Sequence, residues 1–290
     1  MTYHRKNRRA QDREPQLAYH NAKFLESVDG RSLRILAEFL EPQARLRRHG
    51  ILNTVVFFGS ARILPRDVAI RNLHELERKR KMNREALPLE ELKAARRAVA
   101  MSHYYDEARE LARLLTGWSL SLRNGPYFLV VCSGGGPGIM EAANRGAAEA
   151  GGKSIGLNIQ LPKEQSPNPY ITPGLSFMFR YFFMRKLWFA QPTQALIVFP
   201  GGFGTMDELW EFLTLTQTGK MKNRATIMLY GEKYWRQVIN FDLMVRSGTI
   251  ERGDLKMLNF ANTPAKAFQI LKERLSAELA LRPAIRQPFP

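Results

Sequence analysis

Ala195-Leu196-Ile197-Val198-Phe199-Pro200-Gly201-Gly202-Phe203-Gly204-Thr205-Met206-Asp207-Glu208 decides the fold. An apolar run is followed by a glycine turn and then by an amphipathic stretch from Leu209 to Thr216. The order reads as strand, turn, helix start. Such a junction aims backbone N–H groups and a helix N-terminus at one point in space, which suits an anion such as phosphate. It also carries a carboxylate, Glu208, close to that point. Phosphate binding alone has no use for a carboxylate, whereas chemistry on a nucleotide does. A purely structural reading stands beside this one. Thr205-Met206-Asp207-Glu208 has the spacing of a capping box, with Thr205 as N-cap and Glu208 at the third helical position. Asp207 and Glu208 also suit the positive end of a helix dipole.

Working outward, the same order recurs. The apolar run Tyr127–Cys132 leads into Ser133-Gly134-Gly135-Gly136-Pro137-Gly138 and then into good helix formers from Ile139 to Ala148. A third junction is Phe57-Phe58-Gly59-Ser60-Ala61-Arg62, after Thr54-Val55-Val56. Three such junctions predict a parallel sheet whose strand C-terminal ends share one crevice, where open α/β sheets bind ligands. Two familiar motifs fail. The dinucleotide fingerprint needs glycine where Ile139 stands, and a Walker A preceding Gly152-Lys153-Ser154 needs glycine where Ala147 stands.

The remaining chain fits an α/β; Rossmann-like doubly wound parallel sheet with helices on both faces and an N-terminal helical extension. The expected divisions are a disordered basic arm over 1–20, a helical extension over 21–50, a core over 51–281 and a tail over 282–290. Asp29–Arg48 is helical in pattern, with Leu33, Leu36, Ala37 and Leu40 on one face. A charged helical insertion occupies about 66–100, split by Pro88. Tyr104–Leu115 reads as helix, Ser154–Ile159 as strand and Leu161–Pro173 as an extended, proline-rich loop. Leu175–Phe179 reads as a short strand and Tyr181–Ala190 as an aromatic helix. Thr226–Tyr230 is a strand, a helix follows from about Tyr234, and Ala265–Leu281 closes the chain as a helix.

Composition sets the class. The chain has 290 residues, enough for one large α/β core, and 44% hydrophobic residues, as in a globular protein. No apolar run approaches the length of a membrane span, and the basic N-terminus has no apolar stretch behind it, so a cytoplasmic protein is expected. The single cysteine, Cys132, allows no internal disulfide and reads as buried and inert. The net charge of +17 raises nucleic acid as a partner. Its distribution speaks against a dedicated site, since the stretches 1–50, 51–126, 127–231 and 232–290 each carry between +3 and +5. Attraction of an anionic small substrate explains the charge as well.

All five histidines, His4, His20, His49, His74 and His103, precede residue 104. A Ser-His-Asp triad or histidine metal site at the two later turns is therefore disfavoured, and one cysteine offers no metal cluster. Between Gly151 and Gly231 the acids are Glu164, Asp207, Glu208 and Glu211. What remains is a carboxylate, an arginine and backbone donors. That set suits cleavage of a glycosidic bond, whose oxocarbenium-like transition state a carboxylate stabilises. Arg185 is the candidate arginine, either holding a phosphate or ribose hydroxyl or standing simply as a surface residue.

GGGPGIMEAANRGA (134–147), FFMRK (182–186) and PGGFGTMDE (200–208) resemble the LOG family, whose founding members are cytokinin riboside 5′-monophosphate phosphoribohydrolases. Many members carry a lysine decarboxylase label. The resemblance covers about residues 50–250, and the segment GLNIQLPKEQSPNPY (156–170) is similar to the longer branch of that family. It implies a Rossmann-like fold, a homodimer or higher homo-oligomer, and hydrolysis of a nucleoside 5′-monophosphate to free base and ribose 5-phosphate. It implies catalytic roles for Arg185 and Glu208 and phosphate contacts from Gly201, Gly202, Gly204 and Thr205. Gly59, Ser60, Gly135, Gly136 and Glu141 are implied to line the nucleotide pocket. No metal or organic cofactor is implied, and neither specific nucleic acid nor a membrane is implied as a partner. The N-terminal residues and the 66–100 insertion exceed the compact members, so adenosine monophosphate and a cytokinin precursor are both plausible substrates. Two rival readings share the sheet: a non-catalytic nucleotide or molybdenum-cofactor binding protein, and a single-strand DNA binder.

Overall fold

The computed structural model describes residues 16–82, 88–122, 129–162, 166–221 and 225–280. Residues 1–15 of the expected arm, the expected tail over 282–290, the strand start at 127–128 and Glu164 lie outside the described residues. The chain falls into two compact units, 1–42 and 43–290.

The first unit contains α1 (Ala22–Glu26) and the start of α2 (Arg31–Arg48). Asn21 caps α1 by accepting from the Phe24 amide at 3.1 Å, and Arg34 donates to the carbonyls of Leu25 and Ser27. Disorder up to residue 20 does not describe this segment. Ala18–His20 form a short 3-10 turn, closed by His20 N–H to the Leu17 carbonyl at 2.8 Å, which delivers the chain to the Asn21 cap.

The second unit is built on a seven-stranded sheet of β1 (Thr54–Phe58), β2 (Val130–Ser133), β3 (Ser154–Ile159), β4 (Ser176–Phe179), β5 (Thr193–Val198), β6 (Thr226–Tyr230) and β7 (Leu258–Ala261). The spatial order is β4-β3-β2-β1-β5-β6-β7, and each neighbouring pair is parallel. The chain winds leftward from β1 to β4, then crosses to the other side of β1 for β5. The order therefore reverses between β1 and β5, and a crevice opens beyond the strand ends there. Both strands deliver glycine turns to that point.

Helices cover both faces: α3 (Arg66–Met82), α4 (Leu89–Met101), α5 (His103–Ser121), α6 (Ile139–Glu149), α7 (Phe182–Ala190), α8 (Phe203–Gln217), α9 (Glu232–Val238), α10 (Phe241–Arg246) and α11 (Pro264–Ala280). On one face Val55, Phe57, Val131, Ile197, Phe199 and Tyr230 pack against α5, α6 and α11. Helix α6 is rich in alanine and glycine because it lies tight on α5; a Cβ at Gly146 would meet the Arg109 carbonyl at 2.0 Å. On the other face Phe58 meets Phe189 of α7 at 4.8 Å and Phe212 of α8 at 6.2 Å between ring centroids. The central strands are buried along their whole length, which is why they read as unbroken apolar runs.

The expected charged insertion is the helix pair α3 and α4. Ala69 and Leu92 are its buried residues, and its ion pairs, such as Arg71–Asp67 at 2.7 Å, are exposed and contribute little. Two expectations are corrected, and one strand is added. The helix placed from Tyr234 starts at Glu232, because Gly231 adopts φ +85° and turns the chain two residues earlier. Strand β7 was not expected. The helix after the 200–202 turn starts at Phe203, which overturns the capping box. Gly202 is the N-cap, Thr205 lies within the first turn, and no side chain caps the helix.

Candidate active site

The crevice end of the sheet is assembled from three chain segments. β1 ends in Gly59 and Ser60. Ser60 N–H donates to the Pro200 carbonyl at 3.0 Å, and the Ser60 carbonyl accepts from Ile139 N–H at 3.2 Å. The end of β1 thus ties the two later turns together. A Cβ at Gly59 would overlap Ile139 at 2.8 Å, so glycine allows α6 to start against the strand.

The turn after β2 is filled from inside. Gly135 takes φ +75°, and a Cβ there would meet Asn158 at 2.3 Å. The Asn168 side chain, from the proline-rich loop, donates to the carbonyls of Gly135 and Gly136, each at 3.1 Å, and to Asn144 Oδ1 at 2.9 Å. Ser133 Oγ donates to Asn144 Oδ1 at 2.7 Å and accepts from Gly135 N–H at 3.1 Å. Ser133, Asn144 and Asn168 are all buried, as are Gly135 and Gly136. A buried network with its partners in place fixes one backbone geometry.

The turn after β5 is bare by contrast. Gly202, Phe203 and Gly204 are exposed, while Gly201 and Thr205 are buried. The start of α8 has no side-chain cap, so its first amides are left for solvent or a ligand.

Beside this helix start lies an ion pair. Arg185 Nη2 stands 3.4 Å from Glu208 Oε1, and each side chain is only 12% exposed. Arg185 is held from α7. Its Nε donates to the Leu157 carbonyl on β3 at 2.8 Å, and its guanidinium lies 5.1 Å from the Phe189 ring centroid. Gly134, quoted in the turn but not among the expected site residues, provides the space: a Cβ there would come within 2.8 Å of Arg185 Nη2. Burial pushes the Glu208 carboxyl up to about 7, against the lowering influence of Arg185. The nearby Asp207 adds to the rise. The 3.4 Å separation exceeds the ~2.7–2.9 Å of a tight charge-assisted bond, which leaves the carboxylate able to accept from another group. Lys186, the next residue on α7, reaches Asp207 at 2.8 Å and Glu211 at 3.3 Å, so those two acids engage a lysine as well as solvent.

Other candidates make contacts of their own. Glu141, on the α5–α6 face of the sheet, accepts from the Tyr105 hydroxyl at 2.6 Å. His103 packs on Tyr104 at 3.9 Å between centroids, with Nδ1 2.7 Å from the Ala100 carbonyl. Cys132 is buried, and burial pushes its thiol up, as expected of an inert cysteine. A separate apolar cavity, lined by Trp210, Leu213, Phe241, Met244 and Leu255, contains none of the site residues. Among the described residues no three His, Cys, Asp or Glu side chains gather as a metal site. No described helix is long and apolar enough to cross a membrane.

Comparison with known proteins finds similar sequences and structures. A family model described as "Possible lysine decarboxylase" matches residues 140–271, a range that holds Arg185, the 200–205 turn and Glu208. The probable cytokinin riboside 5′-monophosphate phosphoribohydrolase LOGL2 of Oryza sativa is 27% identical over 173 residues, covering 59% of this chain and 66% of that protein. Cytokinin riboside 5′-monophosphate phosphoribohydrolase LOG4 of Arabidopsis thaliana is 29% identical over 175 residues, covering 59% of this chain and 76% of that protein. Among solved structures, the molybdenum cofactor carrier protein of Chlamydomonas reinhardtii aligns at a TM-score of 0.40 and 19% identity, covering 60% of this chain and 89% of that one. The chain is similar to the LOG family in its three motif segments, in the match to the family model and in its likeness to the phosphoribohydrolases of rice and Arabidopsis.

Proposed function

We propose that the protein hydrolyses the N-glycosidic bond of a nucleoside 5′-monophosphate, AMP or a cytokinin riboside monophosphate, to free base and ribose 5-phosphate. The observation that carries this reading is the largely buried Arg185–Glu208 pair beside an uncapped helix start. The names of the rice and Arabidopsis relatives support it.

The chemistry follows from the parts. Phosphate sits against the turn of Gly201, Gly202, Gly204 and Thr205, where the helix dipole favours negative charge. Gly59 and Ser60 border it through Pro200, while Gly135, Gly136 and Glu141 shape the nucleotide side of the crevice. Cleavage of the bond between C1′ and the base nitrogen sends the electron pair to the base and leaves positive charge on the sugar. The Glu208 carboxylate stabilises that charge and takes a proton from the water whose oxygen bonds to C1′; the departing base nitrogen takes up a proton from solvent, and Glu208 returns its own to solvent. A carboxyl poised at about 7 suits proton transfer near neutrality. Arg185 keeps Glu208 partly ionised despite burial and positions the substrate. A purely binding protein has no need to bury a carboxylate beside a phosphate turn.

We further propose a homodimer or higher homo-oligomer, since Phe182, Phe183 and Phe203 are 53%, 50% and 94% exposed. Light scattering from the purified protein tests this.

The test of function is release of free base from AMP and from isopentenyladenosine monophosphate, followed by chromatography with Glu208→Gln as control. Release that disappears in the variant supports the hydrolase. Tight nucleotide binding without release from either substrate overturns it in favour of a binding protein.

A further inference from the structure

The phosphate turn is held from behind by a residue distant in sequence. The Tyr234 hydroxyl donates to the Gly201 carbonyl at 2.7 Å. Tyr234 lies on α9, just beyond β6, and its neighbour anchors that helix. Trp235, fully buried, donates Nε1–H to the carbonyls of Val198 at 3.1 Å and Tyr230 at 3.0 Å. Gly231, at φ +85°, starts the helix, and Tyr104 fills the space beside it, where a Cβ would meet its hydroxyl at 2.8 Å. With α9 fixed to β5 and β6 in this way, the Tyr234 hydroxyl is held against the 200–202 turn.

The consequence lies across the peptide bond. No peptide in the described structure is cis. In a trans peptide the C=O and the following N–H point in opposite directions. A hydroxyl that fixes the Gly201 carbonyl therefore also fixes Gly202 N–H, aimed away from Tyr234. That side is open, since Gly202 and Phe203 are exposed. The next carbonyl is fixed too, because Gly202 C=O accepts Met206 N–H at 3.0 Å within α8. Without Tyr234, the peptide between two glycines is free to rotate, because neither residue has a Cβ to oppose it.

We propose that Tyr234 is a positioning residue for the nucleotide phosphate, holding the 201–202 peptide so that Gly202 N–H faces the phosphate oxygen. This rests on the assignment of the turn as the phosphate site. Burial pushes the Tyr234 hydroxyl up, so it remains a donor throughout the neutral range.

The test compares wild type with Tyr234→Phe in calorimetric titrations with AMP and with adenosine. Removing the hydroxyl should weaken AMP binding by about fivefold to tenfold and leave adenosine within about twofold. At saturating AMP, kcat should stay within about threefold while KM rises. Equal losses for AMP and adenosine, or no loss for either, overturn the proposal. A second reading uses the wild-type protein alone. The Gly202 amide resonance should shift on titration with ribose 5-phosphate, and its staying in place while other amides shift also overturns the proposal. Phosphate-dependent binding with no base release would sink the hydrolase while leaving Tyr234 in this role. Wild type that binds AMP no better than adenosine would sink the phosphate turn and Tyr234 together.

Discussion

The two glycine turns that follow β2 and β5 look alike on paper and differ in what they do with their polar groups. Around Gly135 and Gly136 the backbone is occupied by Ser133, Asn144 and Asn168, all buried. Around Gly202 and Gly204 the backbone is exposed, and the helix starts without a side-chain cap. The first turn uses its hydrogen bonds to make a rigid floor, on which Gly134 admits Arg185. The second leaves its helix start without a side-chain cap. A strand–glycine–helix junction is therefore not by itself a binding site; who satisfies its amides and carbonyls decides that.

The sharpest way to break this contrast is chemical. If the second turn and its carboxylate form the reacting site, Glu208→Gln should lower kcat by about a thousandfold, within the range for loss of a general acid–base group, with AMP binding nearly unchanged. Chromatography of released base and calorimetric titration check the two halves. In wild type, activity should rise about tenfold per pH unit and level off above about 7, as Glu208 ionises. Replacing Arg185 by alanine removes the influence that lowers the Glu208 pKa, so the residual activity should need a higher pH still. A pH profile that is flat from 5 to 8 would remove Glu208 as the titrating group.

The next effects concern the first turn. Asn168→Ala leaves the carbonyls of Gly135 and Gly136 and the Asn144 oxygen without that donor. It should cost about 2–3 kcal/mol in urea unfolding. Gly135→Ala demands positive φ of a residue with a Cβ and crowds Asn158, and should cost about as much. Either variant melting like wild type would show that the floor is not rigid.

Glu208 itself should weaken the fold at high pH. Its folded pKa of about 7 lies above the ordinary 4.5, so the folded state binds the proton more tightly than the unfolded chain. No penalty applies below pH 4.5; it grows as pH rises through about 7 and is complete above it. Glu208→Gln should thus gain roughly 3 kcal/mol of stability over wild type on going from pH 4.5 to pH 8.5. An equal difference at both pH values would contradict the burial cost. The smallest effect belongs to the bare turn. Gly204→Ala meets nothing within 4 Å and lies inside a helix, so its melt should be unchanged or raised by about 0.5–1 kcal/mol.

Much of the fold was legible because the central strands are buried on both faces and bounded by glycine or proline. Thr54–Phe58, Ser154–Ile159 and Thr226–Tyr230 could be read to the residue. Strand β7 could not. Leu-Asn-Phe-Ala is short and only partly buried at the sheet edge, and its Asn259 is satisfied by the Ile227 carbonyl of β6 at 2.9 Å, a partner no local pattern reveals. The start of α8 misled because Thr205 and Glu208 have capping-box spacing. The glycines before them let the helix begin earlier, and glycine leaves no periodic signal of its backbone angles. Arg185 and Glu208 were named from the sequence, and the structure brings them together. Gly134, Asn168 and Tyr234 were not named as site residues, because each matters through a contact formed only when distant strands align.

The parallel sheet also governs how the chain is made. β1 lies at its centre, yet its two neighbours are β2 and β5, and Thr54 meets Thr193 across a separation of 139 residues. At a synthesis rate of about 5–20 residues per second, β1 waits on the order of ten seconds for its second partner. During that interval Thr-Val-Val-Phe-Phe has an unpaired edge. The strand that carries Gly59 and Ser60 to the crevice is thus the one most exposed to aggregation while the protein is being made.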